Sequence, residues 1–219
     1  MNTFPNSPKV AKGGIVLIDP QTSRVHRIVS LQYNPETLTR TLQVQESGAD
    51  SADRSQALRM KGPAVEIIKL DAEIDATDQL EFPKENPGTV ENGIQPELAA
   101  LETLVYPASS QLYANNALAD SGALEILPME AALTLFVWSK SRVVPVRITD
   151  FSITEEAFDA RLNPIRAKVS LGMRVLSVDD LGFQHKGSSL FMSYLQTKER
   201  LSASAAASGF GDLGIVGIP

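Results

Sequence analysis

No cysteine occurs in this sequence. That excludes disulfides, thiol nucleophiles and thiolate metal sites together, while leaving the redox compartment open. Histidine is almost as scarce. Only His26 and His185 are present, too few for a three-histidine metal centre and with no second histidine at ligand spacing. Long apolar runs are missing too, so nothing reaches the roughly 18 residues that span a bilayer as a helix, and no membrane insertion is expected. The polar stretch Met1 to Lys12 carries Pro5 and Pro8 and lacks the basic-then-apolar order of a secretory signal. The expected location is therefore the cytosol, or outside the cell only within a larger released particle. Positive charge is in deficit, with a formal net charge of −6. The densest basic stretches, Arg142 to Arg147 and Arg161 to Lys168, are interleaved with apolar residues. A phosphate-binding surface needs a basic excess or cluster, so no nucleic-acid partner is expected.

What is present suits one folded domain. The 219 residues are 43% hydrophobic and 21% charged, enough to bury an ordinary core. Short β-rich runs dominate. Ile15 to Ile18 reads as a buried strand closed by Asp19-Pro20, and Val25 to Tyr33 as a second, broken by Asn34-Pro35. From Leu38 to Val44 apolar and polar residues alternate, with Arg40 the one exception on the apolar side. Glu46 to Gly62 is a long polar loop, of a length that is usually functional. Val65 to Ile74 returns to strand, alternating cleanly from Leu70 onward. Asp78 to Gly93 reads as a second polar loop. Pro96 and Glu97 then open a helix carrying Leu98, Leu101, Leu104 and Val105 and stopped by Pro107.

The second half repeats the β pattern. Ala131 to Trp138 is apolar strand, Ser139 to Ser141 a turn, and Arg142 to Phe158 strand interrupted at Pro145. After a turn at Asp159 to Pro164, Ile165 to Val178 alternates: Ile165, Ala167, Val169, Leu171, Met173 and Val175 on one face, Arg166, Lys168, Ser170, Gly172 and Arg174 on the other. This predicts a long antiparallel hairpin. Ser188 or Ser189 is the expected cap of a final helix running to Leu201. Residues 202–219 form an Ala/Ser/Gly-rich tail whose Phe210, Leu213, Ile215 and Val216 suit docking onto a partner. The expected architecture is mainly β, an antiparallel barrel or sandwich with two helices. Its domain spans 1–201 with an inserted loop and helix region at about 82–128.

Chemistry is hard to find. Asp71, Glu73, Asp75, Asp78 and Glu81 begin like a calcium loop, but Ala76 stands at the position that needs glycine and Phe82 at the position that needs glutamate. The period-2 acids instead mark the wet face of a strand whose other face carries Leu70, Ala72 and Ile74. No Gly-x-Ser-x-Gly elbow supports a serine nucleophile. Lys12-Gly13-Gly14 precedes a strand, without the helix start that holds a phosphate. Trp138 belongs to the core. Arg142, Arg147, Arg161, Arg166 and Arg174 fit solvated strand faces and pairing across a subunit boundary equally well. No catalytic residue, metal or cofactor is expected; a barrel that binds a small ligand, or an enzyme, would need a dry pocket with converging polar groups.

One stretch carries a resemblance. Leu31-Gln32-Tyr33-Asn34-Pro35-Glu36-Thr37-Leu38 is similar to the N-terminal region of tube-fold proteins from extracellular contractile injection systems, the phage-tail-like particles. Leu58-Arg59-Met60-Lys61-Gly62-Pro63, Leu70 to Glu81, Thr154-Glu155-Glu156 and Leu162 to Ala167 continue the likeness, which covers roughly Gly14 to Leu201. It implies a tube-type β-barrel that assembles as a hexameric ring in the inner baseplate. The expected partners are the spike protein, the inner tube or a second tube-initiator protein, and other baseplate proteins. Many members add a peptidoglycan-binding LysM module; no LysM core is recognisable here, so a structural adaptor role is expected, with an inner-tube shaft subunit as the alternative. The loop and motif positions Asn34, Asp50, Asp53, Arg54, Arg59, Lys61 and Arg166 are the candidate inter-ring or inter-subunit contacts.

Overall fold

A computed structural model describes residues 10–45, 60–121, 132–205 and 209–218. The chain is mainly β. Seven strands form one sheet: β1 (Gly14–Ile18), β2 (Val25–Ser30), β3 (Leu38–Gln43), β4 (Val65–Asp75), β5 (Leu133–Ser139), β6 (Arg142–Phe158) and β7 (Pro164–Val175). Their order is β2-β1-β5-β6-β7-β4-β3, and every neighbouring pair is antiparallel. Among the described residues no seventh ladder closes the sheet, so β2 and β3 are its edges there and the expected barrel is an open one.

The sheet is nevertheless strongly bent. Gly14 pairs with Val137, and Val137 with Val143 of β6. Asp75, at the far end of β4, pairs with Arg166, and Arg166 with Ala157 of β6. Along a straight strand Val143 and Ala157 would lie about 46 Å apart, at about 3.3 Å per residue. Yet the Leu31 amide donates to the Gly13 carbonyl at 2.9 Å, while the side chain of the next residue, Gln32, bonds both main-chain groups of Asp75, at 2.7 and 2.9 Å. One glutamine thus fastens two corners that a flat sheet would hold far apart. The bend is built into β6, where register shifts leave Thr149 and Glu156 without cross-strand partners on β7. Such bulges kink a strand and increase its twist. At the first bulge Gly172 faces Asp150, and a Cβ there would fall 2.5 Å from Asp150 Oδ2, so the position requires glycine.

Pro145 does not interrupt β6. Its carbonyl accepts from the Leu176 amide at 2.9 Å, on the β7 side. Within one extended residue N–H and C=O point the same way, so the missing donor falls where β7 has already ended, and no ladder bond to β5 is lost.

Inside the bend lies the main core. Ile68, Leu70, Ala72 and Ile74 of β4, Phe136 of β5, Val144 and Val146 of β6, and Ala167, Val169, Leu171, Met173 and Val175 of β7 are all buried in it. The parity expected for β7 and for β4 beyond Leu70 is the one observed, with Asp71 and Glu73 on the wet face. Five α-helices are present among the described residues where two helices were expected: α1 (Thr77–Leu80), α2 (Pro87–Asn92), α3 (Gln95–Glu102), α4 (Ser109–Asp120) and α5 (Lys186–Ala203). Leu98 and Leu101 of α3 and Phe191 and Tyr194 of α5 complete the core. Asp78 to Gly93, read as loop, holds α1 and α2 instead. α5 starts before the serines expected to cap it: the His185 side chain accepts from the Gly187 amide at 3.0 Å, and Ser188 lies buried, its hydroxyl donating to the Leu181 carbonyl.

Candidate functional site

Among the described residues the one charged side chain that is buried is Glu66, 3% exposed. β4 places Glu66, Ile68, Leu70, Ala72 and Ile74 on the same inward face, so its first inward residue is a carboxylate where the rest are apolar. A buried charge is costly unless paired and hydrogen-bonded. Here the pairing is complete. Arg40 sits on β3 opposite Ile68, one diagonal step from Glu66, and its Nε donates to Glu66 Oε1 at 2.6 Å. From α5, Lys198 Nζ donates to Oε2 at 2.8 Å, and the Tyr194 hydroxyl donates to Oε1 at 3.0 Å. That hydroxyl accepts in turn from Arg40 at 3.1 Å, and Lys198 Nζ lies 4.1 Å from the centre of the Tyr194 ring.

Burial pushes the Glu66 carboxyl up, but the hydrogen bonds and charges of Arg40 and Lys198 outweigh it and hold the group below its ordinary range. A depressed carboxyl contributes stability above its unfolded-state pKa, and that contribution is lost as pH falls through the folded-state value. The cluster therefore ties edge strand, neighbouring strand and helix together at neutral pH. No buried side-chain nitrogen or oxygen among the described residues lacks a partner. The arrangement is a clasp: Arg40, Tyr194 and Lys198 each donate to the one carboxylate, and a second Arg40 nitrogen donates to the Tyr194 hydroxyl.

The remaining polar features are shallower. A cleft of about 510 Å³ is lined by Pro20, Gln21, Ser23, Gln184, His185, Lys186 and Ser189. His185 is engaged as the α5 cap. His26, half-exposed, stands 4.0 Å from Asp19. Among the described residues no three His, Asp or Glu side chains converge as metal ligands. No helix there is long and apolar enough to cross a membrane.

Of the seven contact positions read from the sequence, Asp50, Asp53, Arg54 and Arg59 lie outside the described residues, as does most of the loop that holds them. Asn34 is engaged within its own chain. Its Oδ1 accepts from the Gly13 amide at 2.9 Å and its Nδ2 donates to the Ala11 carbonyl at 2.8 Å, pinning the β2–β3 link beside the start of β1. Lys61 is exposed, and its amide donates to the Gln45 carbonyl at 3.0 Å. Arg166, half-exposed, pairs with Asp75 at 2.7 Å. These three do not share one site. Sequence reasoning missed the Glu66 clasp, although Arg40 on an otherwise apolar face was its visible signal. No protein-family model matches the chain, and no curated protein matches it.

Proposed function

We propose that the chain is a structural ring subunit of the inner baseplate of a contractile injection particle, an adaptor between spike and inner tube. The observation that carries this reading is the bent antiparallel sheet with two unpaired edges. Among the described residues no strand lies along the outer side of β2 or of β3, and each edge strand is six residues long. Free edges are aggregation sites unless a neighbour covers them. Pairing β2 of one copy with β3 of the next is a head-to-tail contact, which closes into a ring when the rotation permits.

Other surfaces support the same reading. α4 has no buried residue and leaves Leu112, Tyr113 and Leu118 exposed, beside exposed Tyr106. A helix of that length is marginal alone in water and is normally held by packing. Exposed Phe210, Leu213, Ile215, Val216 and Ile218 crowd the end of the chain in the same way. At the β6–β7 turn, Leu162 adopts φ 65° with its side chain in solvent. A subunit that works by contact on several sides accounts for such surfaces.

The direct test is to purify the chain with a spike protein and an inner-tube protein encoded beside it, and to weigh the products by native mass spectrometry. Six copies of the 23.6 kDa chain bound to spike or tube protein are expected. A single-copy species that binds neither would sink the proposal.

A further inference from the structure

The Glu66 clasp divides α5 into two unequally held halves. The first half is anchored without it: Gly187, Ser188 and Phe191 are buried, and the Ser188 hydroxyl donates to the Leu181 carbonyl. In the second half the last buried residue is Tyr194. Beyond it Leu195, Thr197 and Lys198 are only half-buried, and residues 199–203 are exposed. Lys198 is thus the final polar attachment of the helix to the sheet, and it attaches to a single carboxylate.

The groups facing Glu66 are Arg40 from β3 and Tyr194 and Lys198 from α5; the next inward residue on its own strand, Ile68, is apolar. Glu66 is the carboxylate of the cluster, the group that gains a proton as the pH falls. Its neutralisation would leave two cations around an uncharged group. Arg40 and Lys198 keep 27% and 33% of their side chains in solvent, so each has a route to water. Arg40 remains on its strand through the β3–β4 ladder. Lys198 has no such ladder.

We infer that this clasp is an acid-sensitive latch on α5: protonation of Glu66 releases the helix from Tyr194 onward while the sheet stays folded. The release is local because the apolar core beneath β4, β6 and β7 does not depend on the carboxylate. Residues 209–218 lie beyond the helix end at Ala203, on the released side of the latch.

Amide hydrogen exchange on the full chain tests this, with protection corrected for the intrinsic pH dependence of exchange. Glu66→Gln mimics the protonated state near pH 7. In that variant, protection of residues 194–203 should fall by about tenfold or more, while Val169 to Met173 of β7 keep wild-type protection. In the wild type the same loss should appear only as pH falls below the ordinary carboxylate range. Removing one cation raises the folded-state pKa of Glu66, so Lys198→Gln should move the release midpoint to higher pH. Glu199→Gln, one residue away on the exposed side, should leave it unmoved. Wild-type protection of 194–203 in Glu66→Gln would overturn the inference, as would simultaneous loss in α5 and β7. Should Glu66→Gln fail to fold, Lys198→Gln decides, and an unshifted midpoint overturns the latch.

Discussion

Replacing Val169 by proline should abolish folding and with it any assembly. Val169 is fully buried in β7 and is paired on both sides, with Ala72 of β4 and Ile153 of β6. Proline there removes a ladder donor in a strand flanked on both sides and forces φ near −65°, which a central strand does not accommodate. By analogy with proline inside a helix the cost is about 3 kcal/mol or more. That is a large share of the roughly 5–15 kcal/mol that hold a typical domain. Pro145 shows the condition under which proline is tolerated: its absent donor faces the side where β7 has ended. The expected result is insoluble or unfolded Val169→Pro protein, seen by circular dichroism, and no assembled particles by electron microscopy. A soluble variant with the wild-type unfolding midpoint would contradict the strand assignment.

Phe136→Ala should cost about 3–5 kcal/mol, the usual range for deleting a buried aromatic ring. Phe136 is 1% exposed, sits between Ile15 of β1 and Val144 of β6, and stacks on Trp138 with ring centres 5.9 Å apart. It fills the core where three strands meet. Trp138 is the sole tryptophan, so its fluorescence follows urea unfolding without ambiguity of site. A midpoint near wild type, equivalent to a loss below about 1 kcal/mol, would mean that Phe136 does not pack as described.

Strand existence was legible where one face is wet and the other buried. In β7 and the second half of β4 the alternation of Val169, Leu171 and Met173 or of Leu70, Ala72 and Ile74 is uninterrupted, and the structure buries those residues. β6 read as two pieces because proline argues against a central strand; only the end of β7 beside it resolves the conflict, and that is a tertiary fact. α1 and α2 went unread because they have four and six residues and no buried side chain, so they carry no apolar period. α4 is longer, yet its leucines, tyrosine and alanines are spread around the whole helix and define no face.

The clasp was half legible. Arg40 stood out as the wrong residue on an apolar face, but the sequence gives no means of finding its partner. Arg40 is 26 residues from Glu66, while Tyr194 and Lys198 are 128 and 132 residues from it. Glu66 shares the parity of Leu70, Ala72 and Ile74, but clean alternation starts only at Leu70, and the adjacent apolar pair Ile67-Ile68 hides which face Glu66 is on. The bend was invisible for a related reason. It depends on Gln32 reaching Asp75 and on bulges at Thr149 and Glu156, and neither a side-chain bridge nor a register shift leaves a mark on hydropathy.

The central claim is that the free edges β2 and β3 belong to a ring, and a reconstruction of the assembled particle by electron cryo-microscopy tests it most directly. The account predicts six copies around the central axis, between spike and tube, with the outer side of β2 in one copy hydrogen-bonded to the outer side of β3 in the next. A chain found as a monomer, placed off the axis, or with both edge strands open to solvent would contradict it.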